Sequence, residues 1–207
     1  YTMTYEQWQG GAFEPLQLGS FLFSTPWVDT TPLPGQHHII MDPGVVFGDA
    51  MHQTTRDCLT AIEIACSGGT IKTMTDLGTG TGVLALASAL LGVNRIIAVD
   101  YTMIAARTAR RNVELNGLTD AIVVVNGKAQ DYLYTAVDLL VTNIQLPVMK
   151  EIIESDTFLC SKWFVLSGLL QREAQEIEAI LAEKPVHIHR CWCHGSLWQT
   201  ILGTVAA

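Results

Sequence analysis

The chain has 207 residues, 49% of them hydrophobic and 15% charged, and a formal net charge of -8. That is enough apolar content for one domain with a substantial core, and it excludes a disordered chain and a surface that coats nucleic acid. No stretch is long and apolar enough to span a bilayer, and the start, Tyr1-Thr2-Met3-Thr4, lacks the pattern of a secretory leader. The expectation is a soluble, unsecreted protein with a small molecule or a basic protein as partner, its oligomeric state left open. Cys58, Cys66, Cys160, Cys191 and Cys193 are odd in number and sit in apolar segments, which predicts reduced thiols and a cytoplasmic setting.

Residues 1–40 are irregular, with Pro15, Pro26, Pro32 and Pro34 and two short strand-like runs, Leu16 to Leu18 and Ser20 to Phe23. This segment reads as a lead-in packed on a main domain over residues 41–207. Asp42-Pro43-Gly44 signals a turn, and Cys58, Leu59, Ile62 and Cys66 recur at helical spacing, so a helix starts near Thr54. Apolar runs then alternate with helical stretches. The runs are Thr73 to Leu77, Ile96 to Val99, Ile122 to Val125, Val137 to Val141 and Trp163 to Leu166. The helical stretches are Gly82 to Leu91, Met103 to Asn116, a short one after Pro147, and Leu170 to Ala182. Such alternation implies right-handed βαβ units and a doubly wound α/β domain with a parallel sheet. Val186 to Cys193 and Leu197 to Gly203 are separated by only a short link, which makes them a C-terminal antiparallel hairpin.

The first strand of the alternation runs into Asp76-Leu77-Gly78-Thr79-Gly80-Thr81-Gly82 just before a helix, where open α/β sheets bind ligands. Gly80-Thr81-Gly82-Val83-Leu84-Ala85 also fits the loose dinucleotide pattern G-x-G-x-x-A, which keeps a nicotinamide dehydrogenase in play. The frame beginning at Asp76 favours S-adenosylmethionine, because an ammonium prefers carboxylates and carbonyls to the positive end of a helix. Asp76 and the Gly78 carbonyl supply such acceptors, and Asp100, ending the next strand, can bind ribose hydroxyls for either cofactor. His187, His189, Cys191 and Cys193 share one strand face by period two, but they extend over about 20 Å and cannot surround one ion; no metal is expected. Arg107, Arg110 and Arg111 with Glu114 read as a solvated helix face.

The blocks MDPGVVFGDAMHQTT, DLGTGTGVLALASALLG, AVDYTMIAARTARRNVELNG, DLLVTNI and FVLSGLL stand in this order along residues 41–170. In order and spacing the chain resembles the PrmA-type methyltransferases, which trimethylate a large-subunit ribosomal protein, over about Phe13 to Gly203. The resemblance implies a seven-stranded, Rossmann-like methyltransferase sheet whose last strand is antiparallel. By position it implies that Thr55, Gly78, Asp100 and Asn143 contact the cofactor, with Thr55 and Asn143 near its methionine end, and that Gly127 to Ala129 lie beside the adenine. His52 stands in the family-like loop, as an active-site wall or as the polar cap of the helix near Thr54. Two departures are visible. Phe47-Gly48-Asp49-Ala50-Met51 loses a glycine and gains an acid near the expected substrate entrance, and Asn143-Ile144-Gln145-Leu146-Pro147 changes the wall beside the transferred methyl. The family also carries a ferredoxin-like recognition domain ahead of the segment resembling Phe13 to Trp27, for which this sequence has no room; either it lay upstream or this is a reduced relative.

The expected activity is methyl transfer to amino groups of a protein such as a ribosomal protein. Methylation of a small molecule or RNA, and cofactor binding without catalysis, are the alternatives. The catalytic candidates are Asn143 and His52; the cofactor candidates are Thr55, Asp76, Gly78, Gly80, Gly82, Asp100, Ala129 and Asn143.

Overall fold

The computed structural model describes residues 14–42, 52–133, 136–194 and 197–206. The turn expected at Asp42-Pro43-Gly44, beyond Asp42 itself, and the variant segment Phe47 to Met51 lie outside them. The short strands β1 (Leu16–Leu18), β2 (Phe21–Ser24) and β3 (His37–Ile40) precede helix α1 (Gln53–Cys66). The alternation follows as β4 (Thr73–Leu77), α2 (Val83–Leu90), β5 (Arg95–Asp100), α3 (Met103–Leu115), β6 (Ile122–Asn126), β7 (Val137–Asn143), α4 (Leu146–Glu154), β8 (Ser161–Leu170) and α5 (Gln171–Ala182). The hairpin strands β9 (Val186–His194) and β10 (Trp198–Val205) complete it.

The described residues form a seven-stranded sheet in the order β6-β5-β4-β7-β8-β10-β9. Strands β4 to β8 are parallel, and β10 runs antiparallel to both β8 and β9. Apolar stripes cover both faces, as the doubly wound reading requires. Leu59 and Ile62 of α1, Leu84 of α2 and Val113 of α3 join Met74, Ile96 and Leu139 on one side. Met149 and Ile152 of α4 with Ala174 and Ile177 of α5 join Leu140, Phe164 and Leu166 on the other.

The lead-in pairs β1 with β2 antiparallel and β2 with β3 parallel. Phe21, Phe23 and Ile39 are fully buried in the same core as α1 and α2, each contributing roughly 1.5–3 kcal/mol by burial. Polar bonds fix the docking. Asn116 Oδ1 accepts from the Ile40 N–H at 2.9 Å and its Nδ2 donates to the Ile40 carbonyl at 2.7 Å. Asn112 Oδ1 accepts from the Asp42 N–H at 2.9 Å. The arginines of α3 are exposed, as a solvated face implies, and two of them also make contacts: Arg111 pairs with Asp42 at 3.0 Å and Arg110 donates to the Val124 carbonyl at 3.2 Å.

One reading of the hairpin changes. The β9–β10 register shifts between Leu202 and Gly203, whose partners are Arg190 and Ile188. The bulge swaps faces, so His187, His189, Cys191 and Cys193 do not share one. His189 stacks on Trp163 and bonds Thr204 at 2.9 Å, while Cys191 points to Glu178 of α5 on the opposite face.

Candidate active site

The chain leaves β4 toward α2 and β7 toward α4, so the strand order reverses between β4 and β7 and a crevice opens beyond their carboxyl ends. Gly78 leaves β4 there with φ +77°. A Cβ at Gly78 would lie 2.1 Å from Cγ2 of Ile144, the first residue past β7, so a side chain there would drive into the Ile144 wall of the crevice. The loop beyond is tied down on all sides. Gly78 N and Thr79 N donate to the Val99 carbonyl at 2.8 and 2.9 Å, and the Gly80 N–H donates to Asp100 Oδ2 at 3.0 Å. Buried Asn112 of α3 donates to the Thr81 carbonyl at 2.9 Å. Gly82 packs on α3, its Cβ position 3.3 Å from Ala109 Cα.

Asp76 ends beneath this loop with no exposed surface. Its Oδ2 accepts from Thr79 Oγ1 at 2.6 Å, whereas Oδ1 has no hydrogen-bond partner among the described residues. Burial pushes the carboxyl from 3.8 up to about 7, the charge of Asp100 adding to the rise while Thr79 and the Ala85 N–H oppose it. Asp100 is itself oriented, because Oδ1 accepts from Thr102 N at 2.9 Å and Thr102 Oγ1 at 3.0 Å. Thr102 in turn caps α3.

The crevice is about 610 Å³, and Gly78, Asp100, Lys128, Ala129, Ile144 and Gln145 are among the residues lining it. Ala129 opens a 3-10 turn, Ala129–Tyr132, after β6. A smaller hollow of about 230 Å³ lies at the opposite strand ends, against Asn94, Arg95, Ala121 and Val123, and holds none of the candidate residues.

The remaining candidates gather on the α1 side. His52 is the N-cap of α1. Its Nδ1 lies 2.7 Å from Thr54 Oγ1, to which Asn143 Nδ2 donates at 3.2 Å. Trp198 of β10 meets the His52 ring edge-on, with centroids 5.1 Å apart. Thr55 is buried in the next position, its Oγ1 without a hydrogen-bond partner among the described residues. Sequence reasoning singled out Thr55 and passed over Thr54, the residue that joins His52 to Asn143. The segments that the resemblance sets beside the base and the methyl, Gly127 to Ala129 and Asn143 to Pro147, contribute Lys128, Ala129, Ile144 and Gln145 to the crevice lining.

A family model described as ribosomal protein L11 methyltransferase (PrmA) matches residues 4–205. The chain belongs to this family. The PrmA relatives include a ribosomal protein L11 methyltransferase of Desulforamulus reducens, 35% identical over 175 residues, which are 83% of this chain and 56% of the relative. The crystal structure of a ribosomal protein L11 methylase from Lactobacillus delbrueckii subsp. bulgaricus matches at TM-score 0.80 and 26% identity, covering 94% of this chain and 100% of that one. The N-terminal domain of human METTL16, solved in complex with SAH, shares the fold at TM-score 0.62 and 19% identity, covering 81% of this chain and 75% of that one. The chain spans about half the length of the curated relatives it matches.

Proposed function

We propose that this PrmA-family chain binds S-adenosylmethionine in the crevice between β4 and β7 and directs its methyl group to an amino group of a protein, with ribosomal protein L11 as the substrate. The observation that carries this reading is Asp76, a buried carboxylate with an oxygen unpartnered among the described residues, beneath a glycine loop where a methyl at Gly78 would run into Ile144. A dinucleotide brings no ammonium to reward such a charge, and the chemistry of the donor set therefore fits the sulfonium cofactor better. Asp76 and the Gly78 carbonyl would hold the amino-acid end, Asp100 the ribose, and Lys128 and Ala129 the base. Thr55, whose hydroxyl has no hydrogen-bond partner among the described residues, and Asn143 would hold the methionine side.

When bound, S-adenosylmethionine supplies an activated methyl on a cationic sulfur. The protein then has mainly to align an amine and exclude water. Desolvation in the crevice lowers the pKa of a substrate lysine, so that it loses its proton. Asn143 Oδ1 accepts a hydrogen bond from the amine, leaving the lone pair free. His52 and Trp198 wall the approach. The free thiols of all five cysteines suit a reducing, cytoplasmic setting, and among the described residues no helix is long and apolar enough to cross a membrane.

The test is transfer from methyl-labelled S-adenosylmethionine to purified L11, to ribosomal RNA and to a metabolite extract, run side by side. Label in L11 that survives RNase supports the proposal. Label confined to RNA or metabolites, or none despite cofactor binding, overturns it.

A further inference from the structure

Thr54 has no part in the roles assigned above, although it is buried between the two catalytic candidates. Helix α1 begins at Gln53, so the Thr54 N–H belongs to the first turn and needs an acceptor outside the helix. It donates to His52 Nδ1 at 3.3 Å, while the Thr55 and Arg56 N–H groups donate to the His52 carbonyl at 3.1 and 3.2 Å. An Nδ1 that accepts from a backbone N–H carries no proton of its own. The Thr54 hydroxyl, 2.7 Å from the same nitrogen, therefore also donates to it. A hydroxyl has one proton, so Thr54 Oγ1 can only accept on its other side, and the group it meets there is Asn143 Nδ2 at 3.2 Å.

The direction of the whole chain is thus set by the cap of a helix. The amide of Asn143 turns its NH₂ toward Thr54 and its Oδ1 toward Gly168. That oxygen and the Ile144 carbonyl both face Gly168, each 2.9 Å from where a Cβ there would be. Two acceptors around a bare glycine at the end of β7 suit an amine donor.

We infer that Thr54 is a positioning residue, a one-way hydrogen-bond relay from the α1 cap that locks the Asn143 amide with its oxygen toward the acceptor amine. This rests on the amine-acceptor role proposed for Asn143. Without the relay the amide can flip, presenting N–H groups to an amine that needs an acceptor.

Two measurements test it on the 207-residue chain. The first is side-chain 15N NMR of histidine-labelled protein at alkaline pH, with a His52→Gln variant to assign its signals. The inference requires Nε2 protonated and Nδ1 an acceptor; a proton on Nδ1 overturns it. The second compares Thr54→Val, which keeps the volume, with Thr54→Ser, which keeps the hydroxyl. Thermal melts confirm folding, and S-adenosylmethionine affinity is read by calorimetry. Thr54→Val should lower kcat for L11 about tenfold or more, a larger factor than any loss of cofactor affinity, because misorientation at the reacting atoms acts on turnover. Thr54→Ser should recover turnover to within about threefold of wild type, the residual loss reflecting the missing methyl. Equal kcat in Thr54→Val and wild type, or an equal loss in both folded variants, overturns the relay. If the wild type methylates no acceptor, the proposed function fails and the NMR result alone decides the relay.

Discussion

Replacing Asp76 by Asn should make the cofactor-free protein more stable at neutral and alkaline pH while weakening its hold on the cofactor. The carboxyl has no exposed surface, and among the described residues only one of its oxygens receives a side-chain hydrogen bond, from Thr79. In the unfolded chain it ionises near 3.8; burial first, and then the charge of Asp100, carry it to about 7 in the folded one. Between those values the folded state holds a proton that the unfolded state has released. Stability is therefore highest below the unfolded value and falls as pH rises toward the folded one, by about 1.4 kcal/mol per pH unit. Over the interval this reaches about 4 kcal/mol, fully expressed by about pH 8. Asparagine keeps an oxygen for Thr79 and removes the charge. Urea unfolding at about pH 5 and about pH 8 should show wild type losing a few kcal/mol more than Asp76→Asn across that range. Parallel curves for the two proteins would refute the reasoning, as would a wild type whose advantage over the variant grows with pH. Calorimetry at about pH 8 should show the variant binding S-adenosylmethionine more weakly, because the compensating positive charge no longer meets an anion.

Gly78→Ala should abolish measurable cofactor binding, since the new Cβ lies 2.1 Å from Ile144 Cγ2, and the positive φ adds about 1–2 kcal/mol of strain; Gly78→Ala with Ile144→Ala should recover part of the binding, and unchanged calorimetry for the single variant would contradict the crevice geometry. Asp138 is the acid-side counterpart of Asp76. Burial tends to raise its pKa, but Lys162 at 2.7 Å and the Lys72 and Thr73 N–H groups outweigh it and hold the carboxyl at about 2. Its stabilisation is present above the unfolded value and is lost as pH falls toward about 2; Asp138→Asn should flatten that acid limb by about 1–2 kcal/mol in urea titrations.

The parts of the fold legible in the sequence are those held by local pattern. Thr73 to Leu77 reads as a strand with the bounds it has, because a buried run ends in glycines that can continue neither a strand nor a helix. Strand β8 reads short, as Trp163 to Leu166, and extends to Ser161–Leu170 because β7 and β10 pair with it on both sides. Strand β3 escaped notice. Its His37-His38-Ile39-Ile40 has no alternation, and what holds it is β2 and Asn116, 76 residues beyond Ile40.

The candidate site divides in the same way. The places of Gly78 and Asp100 along the crevice are legible, because their spacing from one strand end to the next encodes it. The choice between Thr54 and Thr55 is not, since both are polar, both are buried, and only the twist of α1 over β7 decides which faces Asn143. The bulge in β9 is likewise silent in the sequence, and by turning Cys191 and Cys193 away from His187 and His189 it separates residues that a simple period-two count puts together.

The most direct test of the central claim is a calorimetric titration of the wild-type chain with S-adenosylmethionine and, separately, with NAD. Saturable one-to-one binding of the sulfonium, lost in Gly78→Ala and weakened in Asp76→Asn, is the predicted result. Binding of NAD in preference to S-adenosylmethionine, or sulfonium binding indifferent to both substitutions, would contradict the account.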